Sequence, residues 1–217
     1  MCQTCEVLIH DSYVPWFRSE AKSAPIVYGR GYAFMNDVFL SGQTLVDGLQ
    51  ATLCQENVEH GIEAAKRTIP VLNGCWALVA QWPNGQTLVA VDRSRSIPLL
   101  YATTTNGYVI SNTIKGITTK AGDLVIDDVC ALEFLLSGYT SGKQTLFETV
   151  SQVQPGEIVQ FDPLSSSTVL THVQYFARAW GRTPQNANRN LTHSRSILYI
   201  LSPNIEGRDE FTTDGRA

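Results

Sequence analysis

The sequence predicts an α+β layered sandwich. Three observations carry this reading: apolar runs of strand length fall into two groups, amphipathic helical stretches lie between those groups, and Asn-Gly pairs join neighbouring runs. With 217 residues and 43% hydrophobic content, the chain can bury one good core or two small ones.

The elements follow in chain order. Residues 5–10 and 26–34 have strand composition and are separated by a connection containing Pro and Ser. Leu45, Val46, Leu49 and Leu53 recur at helical spacing, and Val58, Ile62, Ala65 and Ile69 repeat the pattern, which predicts two short amphipathic helices. From Cys75 to Ser111 the pattern shortens to strand-like runs over 76–82, 87–91, 99–102 and 108–111. Asn84-Gly85 and Asn106-Gly107 supply type I′ turn chemistry, so an antiparallel meander is expected. Its middle carries the polar corner Asp92-Arg93-Ser94-Arg95 ahead of Pro98. Asp128 is the expected cap of a helix ending at Ser137 before Gly138, and Pro155-Gly156 turns the chain into a strand over 157–161. After Phe176 polar residues dominate, and only Ile197 to Leu201 is apolar, so a poorly ordered tail is expected over 177–217 behind a domain over 1–176.

Charge and length exclude several functions. The net charge of −4 and pI near 5.5 leave no diffuse basic surface for nucleic acid or anionic lipid. No apolar run approaches the roughly 20 residues that span a bilayer, and the start of the chain lacks the pattern of a signal peptide; a cytoplasmic protein is expected. The cysteines, Cys2, Cys5, Cys54, Cys75 and Cys130, are odd in number and irregular in spacing, which argues for reduced thiols. Cys2 and Cys5 have zinc-ligand spacing without a second pair, so neither a metal nor another cofactor is expected.

The ordered series LNGCWALVAQWPNGQTLVAVDRSRSIPLLYA, GYVISNTIKGI and LEFLLSGYTSGKQTLFETVSQVQPGEIVQF resembles the second half of the class II glutamine amidotransferase domain that begins asparagine synthetases. The resemblance covers roughly 71–162. It implies the four-layer αββα sandwich of the N-terminal-nucleophile hydrolases. It also implies a nucleophile at Cys2, whose free α-amine would serve as base for its own thiol once Met1 is removed.

The first half departs from the family pattern. Gln3 and Thr4 follow Cys2 where the family has Gly-Ile, and the Arg-Gly-Pro-Asp stretch that holds the substrate carboxylate is absent. The oxyanion segment Tyr-Asn-Gly-Glu has become Tyr28-Gly29-Arg30-Gly31, without the Asn donor. At the Asp-Gly step that grips the glutamine amine stand Asn73 and Gly74, and an amide brings no negative charge to an ammonium. The resemblance thus implies Arg30, Asn73 and Gly74 as the substrate-binding positions. Loss of one oxyanion donor alone costs about 3–4 kcal/mol of transition-state stabilisation. The expectation is a shortened, degenerate domain without its synthetase half, no longer hydrolysing glutamine and serving as a scaffold. Its implied partners are a synthetase (ATP pyrophosphatase) domain or protein and a second copy of itself. The alternative is a working amidotransferase that binds glutamine and releases ammonia through Cys2.

The remaining motifs read as structure. Ser141-Gly142-Lys143-Gln144 lacks the Ser or Thr that a P-loop needs for magnesium. The corner Asp92 to Arg95 reads as a hydrogen-bonded joint between strands, and anion binding is its alternative role. His10, Asp11 and Ser12 read as a strand end entering a turn rather than a triad. Cys75 reads as a small buried hydrophobe, while Trp16, Phe17, Tyr32 and Phe34 read as core or interface aromatics. Leu135 and Leu136, at the end of their helix, and the apolar tail segment Ile197 to Leu201 are the expected contact surfaces for a partner.

Overall fold

A computed structural model describes residues 4–10, 14–19 and 25–162, together with the backbone of 169–174. In chain order the elements are β1 (Thr4–Leu8), β2 (Phe17–Arg18), β3 (Ile26–Met35), β4 (Val38–Ser41), α1 (Gln43–Leu53) and α2 (Val58–Thr68). A 3-10 turn (Ile69–Val71) leads into β5 (Asn73–Gln81), β6 (Thr87–Val91), β7 (Leu100–Thr104) and β8 (Gly107–Ser111). The last group is α3 (Ile114–Ala121), α4 (Asp128–Ser137), β9 (Val150–Gln152), β10 (Glu157–Asp162) and β11 (Val169–Gln174). The expected tail over 177–217 lies outside the described residues.

These strands form two sheets. The larger runs β11-β10-β6-β5-β3-β2 with β4 hairpinned onto β3, and the smaller runs β1-β8-β7-β9. Side-chain alternation divides the core into three apolar layers, as a sheet buried on both faces requires. Val27, Leu78, Ala80, Leu88 and Ala90 of the larger sheet face Leu45, Val46, Leu49 and Leu53 of α1 and Ile62 and Ala65 of α2. On the opposite face, Ala77, Val79, Val89, Val91, Val159 and Phe161 meet Cys5, Tyr101, Tyr108 and Ile110 of the smaller sheet. The smaller sheet's outer face, through Ala102, Val109 and Val150, is covered by Ile117 of α3. The αββα layering expected from the resemblance is therefore the observed architecture.

The meander needs correction. β5 and β6 pair in one sheet and β7 and β8 in the other, so residues 92–99 carry the chain across the sandwich instead of between neighbouring strands. The buried carboxylate of Asp92, 2% exposed, holds this crossing. It accepts hydrogen bonds from the backbone N–H of Trp76, Ser94 and Ser96 at 3.2, 2.7 and 2.9 Å and from the Ser96 hydroxyl at 3.3 Å. A charged acceptor satisfies donors that a tight crossing would otherwise bury unpaired.

Two smaller expectations also change. Asp127, rather than Asp128, caps α4, its carboxylate accepting from the N–H groups of Val129 and Cys130 at 2.9 and 3.0 Å. Those bonds, that to Cys130 first, hold the Asp127 carboxyl below the usual range. Tyr32 and Phe34 are exposed and pack against Phe39 across the β3–β4 hairpin, with ring centroids 5.7 and 5.3 Å apart. Trp16 is buried between the sheets as expected, and Phe17 packs against the helix-side core near the start of α1.

Candidate active site

A domain whose nucleophile is the first residue must hold its first strand at a rim of the sandwich. β1 meets this requirement by pairing in parallel with β8, Thr4 opposite Gly107 and Leu8 opposite Ser111. The approach is close enough to demand glycine: a Cβ on Gly107, whose φ is +135°, would fall 2.0 Å from the Thr4 carbonyl oxygen. The Thr4 N–H donates to the Asn106 carbonyl at 2.7 Å, and Gln81 Nε2 reaches from the facing sheet to the Cys5 carbonyl at 2.7 Å. The start of β1 therefore sits over the C-terminal end of β5. Cys2 itself lies outside the described residues.

The three substrate-binding positions expected from the resemblance do not gather at this rim. Arg30 sits in the middle of β3 opposite Ala77, half-buried. Asn73 and Gly74 open β5, opposite Phe34 and Ala33. Along this nine-residue strand, Asn73 lies roughly 26 Å from Gln81 at about 3.3 Å per residue. The Gly74 backbone is needed where it stands for packing, since a Cβ there would lie 2.3 Å from the Tyr32 carbonyl oxygen.

The rim is neutral in its hydrogen-bonded groups. The side chains of Gln81, Asn84, Gln86 and Thr87 are committed to Cys5, Gln86, Asn84 and Gly85 respectively. Cys5 is no substitute nucleophile: burial pushes its thiol up to about 12, against the opposing hydrogen bond with Thr87. Cys75, expected to be buried, is only half-buried and hydrogen-bonds with Tyr32, which raises the Tyr32 hydroxyl above its ordinary value. Sequence reasoning passed over Arg18, which lies on β2 beside Tyr28 with its guanidinium carbon 5.7 Å from the ring centroid. A two-residue strand carries no period by which to find it.

Other motifs behave as structure. The His10 N–H donates to Asn112 Oδ1 at 2.9 Å and its carbonyl accepts from Asn112 Nδ2 at 2.8 Å; Asp11 and Ser12 lie outside the described residues. Ser141 donates through both its amide and its hydroxyl to the Glu133 carboxylate, which depresses the Glu133 carboxyl. A loop closed on a carboxylate offers a phosphate the wrong charge. Among the described residues there is no group of His, Cys, Asp or Glu able to hold a metal, and no helix long and apolar enough to cross a membrane.

Layering, strand order and a first strand held at the rim define an amidotransferase-type sandwich. The chain belongs to the glutamine amidotransferase domain family, whose model matches residues 56–174. Among solved structures it is similar to the glutamine phosphoribosylpyrophosphate amidotransferase from B. subtilis complexed with ADP and GMP, at 13% identity and a TM-score of 0.40, over 75% of this chain and 31% of that one. It is likewise similar to an allosteric regulatory enzyme of purine biosynthesis, at 13% identity and a TM-score of 0.41, over the same 75% and 31%. The chain thus spans less than a third of the length of these structures. No curated protein matches it.

Proposed function

We propose that this domain is an amidotransferase of the asparagine-synthetase type that has lost glutamine hydrolysis and acts as a docking scaffold for an ATP-pyrophosphatase synthetase partner. The observation that carries the docking role is α4. Val129, Leu132, Leu135 and Leu136 are 77%, 58%, 81% and 80% exposed, while Cys130 is the one buried residue of the helix. Helices apolar on every side are normally covered, and contiguous apolar patches mark contact surfaces. The loss of hydrolysis is supported by the dispersal of Arg30, Asn73 and Gly74 away from the start of β1.

Isolated from a synthetase partner, the α4 face pairs with a second copy. Light scattering of the purified chain is expected to give an apparent mass that rises with concentration, and Leu135→Glu with Leu136→Glu to return it to monomer. A monomeric mass at every concentration contradicts this use of α4.

A working amidotransferase with Cys2 as nucleophile is the second reading. The Gly107 contact favours it, since glycine there lets β1 begin tight against the rim, as an N-terminal nucleophile needs.

A further inference from the structure

On the outer face of the smaller sheet, the end of α4 and the loop after it overhang a groove of about 300 Å³. Leu100, Ile114, Phe134, Leu146 and Phe147 make it apolar, and among the described residues Arg95 is the one charged residue that lines it. Arg95 belongs to the crossing corner, where a φ of +51° turns the chain at a non-glycine residue. Such a backbone conformation is disfavoured for an L-residue.

The Arg95 guanidinium has no hydrogen-bond or ion-pair partner among the described residues, although its side chain is half-buried. Neighbouring Arg93, by contrast, donates to the Pro70 carbonyl at 3.1 Å. Desolvation already pulls the Arg95 guanidinium below its ordinary pKa, the mark of a cation whose environment offers no compensating charge. Cations taken partly out of water are normally paired. Among the described residues no Asp or Glu lines the groove. Three of its other polar side chains are spent: Thr140 donates to the Gln144 carbonyl at 2.8 Å, Thr145 to the Val150 carbonyl at 2.9 Å, and Gln152 to the Gly142 carbonyl at 3.0 Å, while Tyr139 adds a hydroxyl to the lining.

We propose that this groove binds a small amphiphilic monocarboxylate, its carboxylate forked by Arg95 and its aliphatic or aromatic body laid along Leu100, Phe134 and Phe147. One planar guanidinium matches one carboxylate in bidentate geometry. A phosphate would call for more donors than Arg95 and the Tyr139 hydroxyl supply among the described residues. The site lies on the outer face of the smaller sheet, whereas the start of β1 faces the larger sheet through Gln81, so the inference stands apart from glutamine chemistry.

Octanoate is the probe, with octylamine and octanol as controls of matched chain length, followed by calorimetry and amide chemical shifts on the full chain. Octanoate is expected to saturate with a dissociation constant below about 10 mM, weaken with added salt, and move the amides of residues 95–100 and 134–147. Arg95→Gln is expected to weaken it at least tenfold while leaving octanol unchanged. Phe134→Ala, at a residue 43% exposed whose loss leaves the core intact, is expected to weaken octanoate and octanol alike. Equal binding of octanoate and octylamine, no saturation, or octanoate affinity unchanged in Arg95→Gln would overturn the proposal. Preference for an apolar peptide's C-terminal carboxylate over octanoate would overturn the small-molecule assignment.

Discussion

Asp92→Ala is expected to lose on the order of 3–5 kcal/mol of stability. The substitution leaves unpaired the N–H groups of Trp76, Ser94 and Ser96 and the Ser96 hydroxyl, all now satisfied by one buried carboxylate. The loss falls where the chain crosses between sheets, so neither sheet can compensate by repairing its own ladder. Asp92→Asn should fall between, because its single amide oxygen still accepts some of these bonds. Urea unfolding of both variants at one protein concentration checks the ordering. A loss under about 1 kcal/mol in Asp92→Ala would mean that the corner is held by its backbone bonds, such as that from Gly156 N–H to the Asp92 carbonyl at 3.0 Å.

Gly107→Ala carries the second large effect. Its φ of +135° disfavours any side chain, and the new Cβ would stand 2.0 Å from a backbone oxygen of Thr4, which cannot move aside as a flexible side chain could. A loss on the order of 2–4 kcal/mol is expected, together with faster amide exchange along Cys5 to Leu8 as β1 separates from β8. Gly142→Ala is the control. Its φ of +61° imposes backbone strain without a neighbour within 4 Å, so about 1 kcal/mol is expected and no change in β1. Similar losses in the two variants would show that strain, rather than the approach of β1, sets the requirement at Gly107.

Periodicity made much of the fold legible. Thr87–Val91 and Asp128–Ser137 fall where their patterns place them, and α1 and α2 follow the spacing of their leucines, valines and isoleucines. Sheet membership was not legible, because β5–β6 and β7–β8 alternate in the same local way. Their separation depends on the bonds that Asp92 makes across the chain. α3 escaped notice because IKGITTKA is rich in β-branched residues and contains glycine. It is held by the Thr113 cap and by the closeness of Gly116 to Ser111, where a Cβ would lie 2.0 Å from the hydroxyl oxygen. The parallel pairing of β1 with β8 joins residues about a hundred positions apart, and no local pattern encodes it.

The substrate-binding positions rest on residue type in the sequence, and the fold sets where those residues stand. Asn73 and Gly74 read naturally as a substrate step beside Cys75 and Trp76, yet the direction of β5 carries them to the end of the sandwich away from Thr4. Arg95, which reads as half of a polar corner, gains its interest only from the apolar groove that the fold builds around it.

Release of ammonia from L-glutamine tests the central claim most directly. The purified chain with Met1 removed, its Cys2→Ala variant and a form retaining Met1 are compared in a coupled assay. No release above the Cys2→Ala background is expected in any of the three, because among the described residues Arg30, Asn73 and Gly74 do not gather at the start of β1. Turnover by the first form that vanishes in the other two would contradict it and establish Cys2 as a working N-terminal nucleophile.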